Sequence, residues 1–144
     1  MADNAQMRLR DVLLATAHEL VAKLDADACS ISRVIGDVLI SVAESVASGR
    51  TLQSGQGYLA SDFPETLAVL ESGLPRMITL TDAQVDSNEA RVLRELGFAA
   101  LLMLRLDLSG VPWGLVEVYR EEARPFGDSD VRLGTEILML QPTV

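Results

Sequence analysis

The chain has 144 residues, 49% of them hydrophobic, with 12 basic and 21 acidic side chains and a formal charge of −9. That length suits one domain with a real core, and the acidity argues against a nucleic-acid surface or docking on anionic lipid. A single cysteine, Cys29, excludes an intramolecular disulfide, which fits a reducing compartment. The amino terminus, MADNAQMRLRDVLL, lacks the basic and apolar regions of a signal peptide, and no apolar run approaches the length of a membrane span. A cytoplasmic location is therefore expected.

Residues 5–24 predict a helix, with Leu9, Leu13, Thr16, Ala17, Leu20 and Leu24 recurring at three- and four-residue steps. ACSISRVI (28–35) and VLISVAES (38–45), joined by Gly36-Asp37, predict a β-hairpin. The stretch 48–61 holds three glycines and no clear period, and is expected to be a loop of a length that usually serves a function. A short helix is expected over 63–72, with Asp62 as N-cap, Glu65 as its reciprocal partner, Pro64 in the first turn and Gly73 as stop. RMITL (76–80) predicts a short strand. A helix follows over 87–96, with Asp86 and Glu89 as its capping pair and Gly97 as its stop.

The strongest strand signals are AALLMLRLDL (99–108) and VPWGLVEVYR (111–120), turned by Ser109-Gly110 and apolar enough to be covered on both faces. A two-residue turn would put Trp113, Leu115, Glu117 and Tyr119 on one face with Leu102, Leu104 and Leu106. Gly114, Val116 and Val118 would take the other. Arg105, inside an apolar strand, needs either Asp107 as partner or an exit to solvent. The last helix is expected over 129–140. The whole predicts an α/β (α+β) architecture: a mostly antiparallel sheet of five to six strands with helices on both faces.

LAVLESGLPRMITLTD (67–82) and LRELGFAALLMLRLDLSGVPWGLVEVYREEARPFGDSDV (93–131) resemble, in order and spacing, the corresponding stretches of the GAF domain family. The resemblance runs over about residues 8–140. One departure is Arg105, where family members often carry Pro. The resemblance implies a profilin-like fold in one domain, 1–144, with terminal helices at about 5–24 and 129–140. It implies a pocket between the sheet and the middle helices, formed by 55–66 and 77–98. Candidate ligand-binding residues there are Tyr58, Ser61, Phe63, Met77, Asp82, Trp113 and Glu117, with Asp62 better read as a helix cap. Phe63 and Trp113 also suit a core, and Tyr58 could simply order the glycine-rich loop. Glu117, a carboxylate inside LVEVY, needs a partner or a raised pKa if buried, and a structural ion pair with an arginine is the expected reading ahead of ligand recognition.

No catalytic set is visible. Cys29 lies in an apolar strand and is better read as a buried structural thiol, while the only histidine, His18, lies on the first helix. One cysteine is too few for the methionine sulfoxide reductase chemistry of some family members, and one His with one Cys too few for zinc. His18 is outside the pocket segments that hold haem in other members, and Cys29 is on the wrong element for a bilin. The Asn-Lys-x-Phe-Asp-Glu signature of cyclic-nucleotide binders is not seen. No cofactor or metal is therefore expected. The expectation is a non-enzymatic regulatory sensor for an unidentified small organic ligand. The alternative is a degenerate module used only for dimerisation or protein contact. A pocket collapsed around Phe63, Met77 and Trp113 would mark the second, and an open one with convergent polar groups the first. In either case the resemblance implies a homodimer through the terminal helices, a fused or partner output domain, and a place within a longer signalling protein.

Overall fold

The computed structural model describes residues 2–52 and 57–140, with side chains from residue 8 onward. Part of the 48–61 loop and the last four residues lie outside the described residues. The elements in chain order are α1 (Ala2–Lys23), β1 (Ala28–Ile35), β2 (Val38–Val46), β3 (Tyr58–Leu59), a 3-10 turn (Ala60–Asp62), α2 (Pro64–Ser72), β4 (Arg76–Thr79), α3 (Ser87–Leu96), β5 (Ala100–Leu108), β6 (Val111–Arg120) and α4 (Asp128–Met139). The six strands form one sheet in the order β3-β2-β1-β6-β5-β4, antiparallel at each pairing. This is the mostly antiparallel α/β architecture expected from the element order. The stretch read as plain loop also contains β3 and the 3-10 turn, too short to leave a period in the sequence.

Each face of the sheet has its own core. On one, Leu13, Ala17 and Leu20 of α1, Leu24 just after it and Ile137 of α4 pack on Cys29, Ile31, Leu102, Leu104, Val116 and Val118. On the other, Val69 of α2 and Leu93 of α3 pack with Leu39, Phe98, Leu101, Met103, Leu115 and Tyr119. The near-continuous apolar run of β5 and β6 follows from this double cover. Among the described residues no helix is long and apolar enough to cross a membrane.

The β5–β6 hairpin corrects the expected faces. The turn itself is as expected, with Ser109 and Gly110 at φ 53° and 77°, the left-handed pair of a two-residue loop. Two residues in, Asp107 pairs with Pro112 but Leu106 pairs with Gly114, so Trp113 is an extra residue on β6. A one-residue slip moves every later side chain to the opposite face. Leu102 and Leu104 therefore sit opposite Val118 and Val116 on the helix α1/α4 side, whereas Leu101 and Met103 share the other side with Tyr119 and Glu117. Trp113 packs against the α1/α4 cluster, with the Arg33 guanidinium 5.8 Å from its ring centroid.

Helix ends hold one further correction. Asp86 caps α3 by accepting from the amides of Asn88 and Glu89, and Gly97 ends it at φ 86°, both as expected. Asp62 does not cap α2. It belongs to the 3-10 turn, Phe63 occupies the cap position, and Pro64 opens the helix. An amide of the first turn, that of Thr66, is instead satisfied by Glu89 from α3, and Glu65 pairs with Arg76. Of the two outlets considered for it, Arg105 takes Asp107, donating to it at 2.9 Å, and it also donates to the carbonyl of Leu70 at 3.2 Å while remaining half-buried.

Candidate functional site

A cavity of about 220 Å³ lies between the sheet and the middle helices. Its floor is the strand trio β2-β1-β6, which supplies Ser41 and Glu44, Ser30 and Ser32, and Glu117 and Tyr119. Alternation along β1 sends Cys29 and Ile31 to the α1/α4 core and Ser30 and Ser32 to the cavity. A skipped residue, Val42, in the β1–β2 register places both Ser41 and Glu44 on the cavity side although they are three apart. The walls are Thr66 of α2, Glu89, Val92, Glu95 and Leu96 of α3, and Leu52, Tyr58 and Phe63 from the segment between β2 and α2.

Two carboxylates organise the interior. Glu117 accepts from the Tyr58 hydroxyl at 2.9 Å through Oε1 and from the Tyr119 hydroxyl at 3.0 Å through Oε2. Tyr119 stacks on Phe98 at 4.8 Å, and Tyr58 meets Phe63 edge-on at 5.4 Å, so both phenols are held by their rings. Burial raises the pKa of Glu117, and the two tyrosine hydrogen bonds act against that rise. Burial and the nearby Glu117 push both phenols well above their ordinary value, so both remain donors.

Glu89, only 7% exposed, accepts through Oε1 from the Thr66 amide at 3.1 Å and the Thr66 hydroxyl at 2.9 Å. Burial pushes its pKa up to about 7, with the Thr66 bonds opposing and the charges of Glu117 and Glu65 adding to the rise. Glu44 accepts from the Leu52 amide at 3.1 Å. Its other oxygen is buried without a hydrogen-bond partner among the described residues, and burial raises its pKa.

Of the seven residues expected at a ligand site, Tyr58, Phe63 and Glu117 line the cavity. The other four lie elsewhere. Ser61 is exposed and bonds Asp37 through both its amide and its hydroxyl. Asp82 closes a turn by accepting from the Gln84 amide. Met77 and Trp113 pack against the α1/α4 core on the far side of the sheet. Glu89 and Glu44 were missed. Glu89 has the spacing of a capping partner for Asp86, and that spacing hides its inward turn; Glu44 sits in a strand whose bulge leaves no sequence mark.

Cys29 faces away from the cavity, fully buried, and burial followed by the nearby Glu117 charge raises its thiol far above its ordinary value. The exposed His18 of α1 bonds Ser45 of β2 at 2.6 Å. Among the described residues no group of three or more His, Cys, Asp or Glu side chains is arranged to hold a metal.

Solved structures share this architecture. The chain is similar to the phycoerythrobilin-bound GAF domain of a cyanobacterial phytochrome, with TM-score 0.80 and 20% identity over 94% of this chain and 84% of that one. It is likewise similar to the blue-light absorbing form of the Thermosynechococcus elongatus PixJ GAF domain, with TM-score 0.79 and 20% identity over 93% and 83%. The chromophore-binding domain of a Stigmatella aurantiaca phytochrome superposes with TM-score 0.70 and 19% identity over 90% and 51%. No curated protein sequence matches. The GAF domain profile matches residues 8–140, and with the sheet order, the two helical layers and the cavity in the expected place, the chain belongs to the GAF domain family.

Proposed function

We propose that the chain is a non-enzymatic, cytoplasmic sensory module that binds a small organic molecule in the cavity beneath α2 and α3. The observation that carries this is an open cavity on which Tyr58, Thr66, Glu89, Glu117 and Tyr119 converge. Few, placed polar groups in a mostly apolar recess are what ligand sites use. A scaffold with a self-filled pocket would have collapsed around its own side chains, and Met77 and Trp113 pack elsewhere.

The related phytochrome domain holds phycoerythrobilin. Two features of this chain favour a different ligand. Cys29, its sole cysteine, is on the wrong side of the sheet, and a linear tetrapyrrole does not fit about 220 Å³ unless the walls open. Catalysis is not part of the proposal, because Cys29 has no base beside it and its thiol is held protonated.

The output side is the α1/α4 layer. Leu14, Leu133, Met139 and Leu140 are exposed apolar residues of these helices and the residue after α4, and we assign that face to a second copy of the chain. Strand β6 links the two ends, carrying Glu117 at the cavity and Arg120 at the helix termini. A fused output domain would be driven from the same layer. Ligand binding should slow amide exchange in 57–66 and 87–96. Unchanged exchange there, with saturable binding to no small molecule, would return the chain to the scaffold alternative. Sedimentation of the L14E/L133E chain as monomer against a wild-type dimer tests the helical contact.

A further inference from the structure

The charge on the cavity walls is one-sided. Glu44 of β2, Glu89 and Glu95 of α3 and Glu117 of β6 all border it, and no Lys, Arg or His does among the described residues. The four residues that follow Leu52 in the sequence, Gln-Ser-Gly-Gln, carry no charge. Cations on neighbouring elements are engaged. Arg76 is paired with Glu65, and Arg91 with the exposed Glu95, which leaves Glu44, Glu89 and Glu117 as the cavity carboxylates without a cationic partner among the described residues. Arg50 donates to the carbonyl of Leu96 at 2.6 Å and lies over the Phe98 ring at 4.8 Å.

Donors inside are mostly spent. Both tyrosine hydroxyls are committed to Glu117, and the Thr66 amide and hydroxyl to Glu89. What remains, beside the serine hydroxyls of the floor, is acceptor capacity: carboxylate lone pairs on three buried or half-buried side chains, including the Glu44 oxygen without a partner. An anion placed there would meet like charges in a weakly screened interior, and a neutral apolar molecule would leave those acceptors unpaired. A cation answers both.

We propose that the cavity selects a compact organic cation, an ammonium or guanidinium group on a short carbon frame, with Glu117, Glu89 and Glu44 as counter-charges. The class rests on the sensory reading above and narrows it. A bare metal ion fits less well, because no three candidate ligands are grouped to surround one among the described residues. An organic cation can instead reach separate carboxylates along its length. Tyr58, Phe63 and Tyr119 offer ring surface for cation–π contact or for the carbon frame. A cavity of about 220 Å³ suits a small guest of this kind.

The test uses titration calorimetry and thermal melts at constant ionic strength. The probes are 1,4-diaminobutane and agmatine, with succinate as anionic match, 1,4-butanediol as neutral match and magnesium chloride as bare cation. Saturable binding of either amine, with a rising Tm, and none of succinate or butanediol is the expected result. Glu117→Gln and Glu44→Gln keep acceptors and shape while removing a charge, and each should weaken amine binding about tenfold or more. A wild-type melt of either variant suffices for the comparison. Amine binding unchanged in both variants would locate it on the acidic surface and overturn the proposal. Tighter binding of succinate, butanediol or magnesium would overturn the cation class but leave a ligand site. No saturable response to any probe would overturn the cation class, and if amide exchange also stays unchanged with a wider metabolite set, the sensory reading goes with it.

Discussion

The hydroxyl of Tyr58 donates to Oε1 of Glu117 at 2.9 Å, joining residues 59 positions apart and tying the short edge strand β3 to the centre of the sheet. The bond offsets part of the desolvation of a carboxylate that has no cationic partner. Tyr58→Phe should therefore cost about 1–2 kcal/mol in urea unfolding at pH 7. Its direction with pH follows from Glu117. Burial already raises that pKa in the folded state, so the group favours folding most when protonated, and its contribution falls as pH rises above the ordinary carboxylate range. Without the phenol the pKa rises further, so the variant should lose more stability at pH 8 than at pH 5. A penalty independent of pH would mean that Tyr58 acts through packing alone.

Glu89 titrates in the neutral range. Its folded pKa is about 7 against 4.5 for the free side chain, so between those values the folded chain holds a proton that the unfolded chain has lost. Stability then falls as pH climbs from about 4.5 to 7, by an amount on the order of 3 kcal/mol for a shift of that size. Glu89→Gln keeps an acceptor for the Thr66 amide and hydroxyl and removes the charge. The variant should be more stable than wild type at pH 8 and equal to it near pH 4. Parallel stability curves across that range would show that Glu89 does not titrate on folding.

Much of the fold was legible because local signals agreed. The Asp86 cap, the left-handed Gly73 and Gly97 stops and the Ser109-Gly110 turn all stand where their chemistry placed them. The site was less legible because it depends on registers. Trp113 as an extra residue exchanges the faces of β5 relative to β6, and the skipped Val42 turns Glu44 inward. Neither bulge is announced by a Gly or Pro at the inserted position. Asp62 and Glu89 show a different limit. Both have capping spacing, yet Glu89 reaches across to the first turn of α2, and only tertiary packing brings those elements together. Four of the seven expected ligand residues fail to line the cavity for the same reason: proximity in sequence to the pocket segments does not say which way a side chain points.

Gly114, beside the β6 bulge, lets β6 approach β1 closely. It pairs with Arg33 on one side and Leu106 on the other, and a Cβ there would overlap the carbonyl oxygen of Ser32. The clash is with backbone of the adjacent central strand, so no rotamer change relieves it. Gly114→Ala should cost about 3 kcal/mol or more, in the class of overpacked cores. Alanine at exposed Gly127, where a Cβ meets nothing within 4 Å, is the control and should cost only the preference of the α4 N-cap for glycine over alanine, about 1 kcal/mol. Similar melting temperatures for the two variants would mean that the β1–β6 ladder spreads without penalty.

Arg120 is the joint between the cavity strand and the terminal helices. It is 3% exposed and donates to the carbonyls of Leu24, Asp25, Arg124 and Pro125, with Phe126 under its guanidinium at 3.9 Å. Asp130 in the first turn of α4 lies 3.6 Å away. One side chain thus gathers the end of α1, the 121–127 loop and the start of α4 onto the strand that carries Glu117 three residues earlier. Arg120→Met fills the volume but leaves those carbonyls without their donor, and should destabilise by about 3 kcal/mol. Arg120→Lys retains the charge but not the planar fork, so it should recover only part of the loss. If β6 couples ligand to helices, the Lys variant should bind ligand in the cavity normally yet show no ligand-dependent change in α1 or α4 amide exchange. Preserved exchange changes in those helices would break the link between this joint and signalling.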